Sequence, residues 1–167
     1  MNPILQQTQK EVFNQLEPKE KASAERVIAA GKRKMFDKKT HFNMELVKNP
    51  NAKNTPVETV SAGIAGLMYL MYQESEPKIS MHVMGIAGTI LMCEAFDFGE
   101  RALGMKITND IVAETTRAMM SLFLHKLGIK PQQLEERIQQ GRQEILDYTA
   151  SEKAAKQAPK GLLSGQA

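Results

Sequence analysis

Apolar residues recur three and four apart along most of the chain, the spacing that places them on one face of an α-helix. Asn2 before Pro3 reads as an N-cap with proline at the first helical position, and Ile4, Leu5, Val12, Phe13 and Leu16 carry a short amphipathic helix to about Glu17. Pro18 restarts the pattern. Ala22, Val27, Ile28, Ala29, Met35 and Phe36 predict a second helix to about Lys38, weakened in its middle by Gly31. Phe42, Leu46 and Val47 suit one further short piece before the linker at residues 49–54. Thr55, Pro56 and Glu58 form a Thr-x-x-Glu capping box, which predicts a helix from Pro56 to about Glu74. The next is expected from about Lys78 to Leu103, with Gly104 as its stop. Asn109 and Asp110 are expected to cap another helix running to Gly128, and Pro131 opens a last one through Leu134, Ile138, Ile145, Leu146 and Tyr148. No alternating run suggests a strand. The fold class expected is all-α, a bundle of five to seven helices with a central apolar hairpin and extended termini.

The domain organisation follows from this pattern: residues 1–48 as a basic helical arm, 49–54 as linker, 55–148 as helical core containing the 56–103 hairpin, and 149–167 as a polar tail. The hairpin helices share a tetrapeptide, Gly63-Ile64-Ala65-Gly66 and Gly85-Ile86-Ala87-Gly88. A helix-interior glycine costs about 1 kcal/mol relative to alanine, so these positions ask for a compensating gain. Close approach of another backbone is the simplest one, and Ala62 and Gly66 lie four apart on one face. Gly63, Gly66, Gly85, Gly88 and Ala62, with Met68, Met71 and Met84, are therefore the expected helix-packing or subunit interface.

The hairpin helices carry no charge from Thr59 to Gln73 or from Ile79 to Cys93, 15 residues each. That falls short of the about 20 needed to span a bilayer. Burial in a core or seam is the leading reading of the hairpin, and transient insertion during delivery across an envelope the second.

Charge divides the chain unevenly. Residues 1–54 hold 11 basic and 6 acidic side chains, residues 55–105 hold 2 and 6, and residues 106–167 hold 9 and 7, within an overall net charge of +3. Lys32, Arg33, Lys34, Lys38 and Lys39, with His41 nearby, are a candidate anion-binding run. The competing reading is a solvated helix face, because no stacking aromatics interleave the cations.

Composition adds little chemistry. Aromatics are 5%, Trp is absent and Met numbers 11, so the core is expected to be aliphatic and thioether in character. The single Cys93 excludes an internal disulfide, and no signal-peptide pattern opens the chain, so synthesis in a reducing cytoplasm is expected. Leu91-Met92-Cys93 is an apolar setting that argues for an inert thiol. His41, His82 and His125 show no ligand spacing. Glu94, Asp97 and Glu100 place acids on successive turns, yet the Glu-x-x-His pairs of a di-iron helical site are absent, and Arg101 is placed to pair with Asp97. No phosphate-binding glycine motif occurs. No catalytic residue, metal or cofactor is expected, and the chain is read as non-enzymatic.

The Gly-Ile-Ala-Gly hairpin and the tail Lys160-Gly161-Leu162-Leu163-Ser164-Gly165-Gln166-Ala167, in a short helical chain without a catalytic set, resemble small structural proteins of tailed bacteriophage virions, in particular the internal proteins that short-tailed phages eject with their genome. The resemblance implies a multicopy virion protein, partnered by copies of itself and by other virion proteins, that forms a ring, tube or envelope conduit and makes transient membrane contact. Leu162 and Leu163 are the expected tail anchors on a neighbour. The alternative is a helical nucleic-acid-associated protein using the Lys32–Lys39 run.

Overall fold

Each helix that begins in the described part of the chain begins where a side chain or a proline satisfies its first turn. A computed structural model describes residues 1–37 and 55–130. Five α-helices occur there, with no strand: α1 (Pro3–Asn14), α2 (Pro18–Phe36), α3 (Pro56–Glu74), α4 (Met81–Leu103) and α5 (Asn109–Lys126). They lie in one unit spanning Met1–Gly128; of a second unit, Ile129–Ala167, only Ile129 and Lys130 are described. The expected pieces around Phe42–Val47 and Pro131–Tyr148, the linker at 49–54 and the tail at 149–167 fall outside the described residues.

Asn2 Oδ1 accepts the Ile4 N–H at 3.0 Å, with Pro3 at the first helical position of α1. At α3 the capping box is complete: Thr55 Oγ1 accepts the Glu58 N–H at 3.2 Å, and Glu58 Oε2 accepts the Thr55 N–H at 2.7 Å. Two starts differ from expectation. Helix α4 begins at Met81 rather than near Lys78, because Ser80 Oγ accepts the Val83 N–H at 3.2 Å. Thr108 caps α5 through the Ile111 N–H at 3.3 Å, which places Asn109 inside the helix as its first residue. At the far end of α4, Gly104 adopts a φ of 66°, and its N–H closes on Glu100. That left-handed cap is one only glycine takes cheaply.

Helix α4 is the hub. It packs on α1, α2, α3 and α5, and buries fourteen of its 23 residues. The main core joins Leu5 of α1, Val27 and Met35 of α2, Ile64, Met68 and Met71 of α3, Met84, Leu91, Met92 and Phe96 of α4, and Met119 and Phe123 of α5. A smaller cluster unites Leu16, Ala24, Val83, Ile86 and Ile90. The thioether-rich core expected from composition is present, with Met68, Met84, Met92 and Met119 all fully buried. Helices α3 and α4 do touch, but α3 packs more extensively on α5. The central pair is thus one contact within a bundle and is not a self-sufficient hairpin.

Candidate functional site

The two Gly-Ile-Ala-Gly segments meet different surroundings. Gly88 is buried, and a Cβ there would strike the Met68 side chain, with Cε at 2.8 Å and Sδ closer. The missing side chain makes a notch for a methionine of α3, and the gain that offsets the glycine is side-chain packing rather than the backbone contact expected. Gly85, half-buried, faces Met120 of α5 at an ordinary 3.5 Å. The same device recurs where the sequence suggested only weakness: a Cβ on Gly31 of α2 would meet Leu91 of α4, with Cδ2 at 2.9 Å. Gly99 likewise holds Met105. Helix-interior glycine was the signal in each case, and what the sequence lacked was the identity of the side chain that enters.

Gly66 breaks the pattern. A Cβ at Gly66 would have nothing within 4 Å. Ala62, one turn earlier, is exposed, and Leu70, one turn later, is 52% exposed. Gly63 is half-buried. Helix α3 therefore presents a small apolar stripe, Ala62, Gly66 and Leu70, that no described element covers. Met68 and Met84 (0% exposed) and Met71 are instead committed to the core. The expected interface set thus separates into a packed inner group and an outward one.

The basic run is partly engaged within the fold. Lys32 Nζ lies 2.9 Å from Glu94 Oε1, and Lys34 Nζ lies 2.9 Å from Glu74 Oε2. Arg33 is exposed. Lys38, Lys39, His41, Leu162 and Leu163 lie outside the described residues.

The acids of α4 act as an anchor rail for the chain's beginning. Glu94 accepts from Gln9 Nε2 at 3.0 Å as well as from Lys32, and Glu100 accepts from Asn2 Nδ2 at 2.8 Å. Asp97, almost fully buried, pairs with Arg101 as the i,i+4 spacing implied, and its Oδ1 lies 3.5 Å from the Met1 ammonium. Sequence reasoning saw this acid row and missed Gln9 and Asn2 that meet it, because they lie 85 and 98 positions away. Among the described residues no group of three or more His, Cys, Asp and Glu side chains is placed to hold a metal ion.

Cys93 is fully buried with a free thiol. Desolvation, with the neighbouring Glu94 charge adding to it, pushes its pKa up to about 12, so the thiolate that chemistry would need is suppressed. His82 Nδ1 lies 3.4 Å from Glu20 Oε1 on the surface. Glu20 is held below its usual carboxylate range mainly because it accepts the Glu17 backbone N–H, with His82 adding to the effect.

Helix α4 is the one described helix long and apolar enough to cross a membrane, with a mean hydropathy of 1.3, but 72% of that window is buried inside the fold. That burial is what the hub of a helical bundle requires. Comparison with protein-family models, with curated proteins and with solved structures finds no match to this chain.

Proposed function

We propose that this protein is a non-enzymatic assembly protein that works in multiple copies, joined in part along the outward stripe of α3. The observation that carries the reading is Gly66. A glycine inside a helix costs about 1 kcal/mol, and whereas Gly31 and Gly88 are offset by side chains of the same chain, Gly66 sits open between exposed Ala62 and Leu70. A neighbouring copy packed there would supply the missing contact, since small residues four apart permit close helix approach. At the finer level the reading is a virion component of the kind tailed phages package and eject, with other virion proteins as partners and transient contact with an envelope. That level rests on the resemblance of the hairpin and tail. The nucleic-acid alternative is disfavoured by the ion pairs that already engage Lys32 and Lys34.

The test is the native mass by light scattering over a hundredfold range of concentration. The expected outcome is a rise to a multiple of 18.6 kDa, with Leu70→Glu and Gly66→Leu each returning the single-chain mass at unchanged helix content. A single-chain mass at every concentration overturns the proposal. Recovery of the chain from purified phage particles tests the finer level.

A further inference from the structure

We infer that α1 is an opening strap: it lifts from α4 as a unit while α2 to α5 stay folded, and in doing so uncovers Ile90 and the acid row Glu94, Asp97 and Glu100. Three independent features point this way.

The first is how the body is locked. The glycine notches tie α2 to α4 through Gly31 and Leu91, and α3 to α4 through Met68 and Gly88, while Gly85 and Met120 join α4 to α5. Helix α1 contains no glycine and shares in none of these interlocks.

The second is how α1 is held. Its extensive contact is with α4, and within the helix only Leu5 is fully buried. Its other apolar side chains, Ile4, Val12 and Phe13, are only half-buried where they pack on the two clusters, and the rest of its ties are polar: Asn2 to Glu100, Gln9 to Glu94 and the Met1 ammonium beside Asp97. Beside this contact a shallow cavity of about 370 Å³, lined by Gln6, Gln9, Lys10, Phe13 and Ile90, leaves part of the seat unfilled. A helix of twelve residues is marginal in isolation, so α1 persists only while docked.

The third is the hinge. Pro18 prevents α1 and α2 from fusing into one helix, and α2 closes its own first turn, with Glu20 Oε2 accepting the Glu17 N–H at 3.0 Å. Helix α2 therefore needs nothing from α1 to begin. Opening rehydrates Asp97 and the Glu94 and Glu100 carboxylates, which offsets part of the cost of bringing Leu5 and the half-buried Ile4, Val12 and Phe13 into water.

This inference does not depend on the multicopy reading, since it is tested on the full chain at a concentration where the mass is that of one copy or of the assembly alike. Amide hydrogen exchange under native conditions should show residues 6–14 exchanging at least tenfold faster than the protected amides of α3, α4 and α5. Leu5→Ala should speed α1 by a further tenfold or more and leave those body amides unchanged. Gln9→Ala, which costs no core packing, should act in the same direction and more weakly. Equal protection of α1 and α4 overturns the inference, as does acceleration of the body amides in step with α1 in either variant.

Discussion

At the scale of the single residue, the glycines of this protein carry opposite signs. Alanine at Gly66 enters open space and removes the backbone entropy cost of glycine, so it should stabilise the isolated chain by about 0.5–1 kcal/mol. Alanine at Gly31 gains the same propensity but drives a methyl into Leu91, a fully buried side chain met at its branch point. Overpacking of that kind typically costs about 1–3 kcal/mol and should win. Urea unfolding of the two variants against the parent checks both signs, and a stabilised Gly31→Ala would show that the α2–α4 contact yields. Gly88 lies between them, because what a new Cβ meets first is the flexible end of Met68. None of this ordering was legible in the sequence, where all these positions look alike.

At the scale of the element, local chemistry was legible and partner choice was not. Asn2 with Pro3, Thr55 with Pro56 and Glu58, and Gly104 all mark helix ends through bonds to residues within four positions, so the sequence pattern contains the whole interaction. The expected start of α4 near Lys78 was misplaced for a local reason too. Ser80 has the hydroxyl that caps Val83, and the helix starts just after it, at Met81. That α3 prefers α5 to its neighbour in sequence is decided by which faces bury together, a long-range matter that no tetrapeptide encodes. The burial of α4 has a titratable witness in Cys93. Its folded pKa, about 12, lies above the ordinary value of 9.0. The thiol's contribution to stability is therefore complete below about pH 9 and lost as pH rises from there towards 12. The urea midpoint should fall over that range, and Cys93→Ala should flatten the fall; an identical slope in the variant would mean the thiol is not desolvated.

At the scale of the whole molecule, the candidate site was half visible. The apolar, glycine-bearing hairpin stood out at once, yet its inner methionines turned inward to make a core, and what remains outward is the stripe from Ala62 to Leu70. An association through that stripe is apolar, so raising salt from about 0.1 to about 0.5 M should leave the native mass unchanged or larger. A contact made by the cations near Lys32 to phosphate would instead weaken steeply over the same interval. A mass that falls with salt would move the joint to the charged helix faces.

Met68 occupies the Gly88 notch with its sulfur and methyl group, sealed from solvent. Folded chains thus shield this thioether from peroxide, but a chain oxidised before it folds must bury a polar sulfoxide in this apolar contact. For this protein the order of the two events matters: folding first preserves the joint between α3 and α4, and oxidation first weakens it.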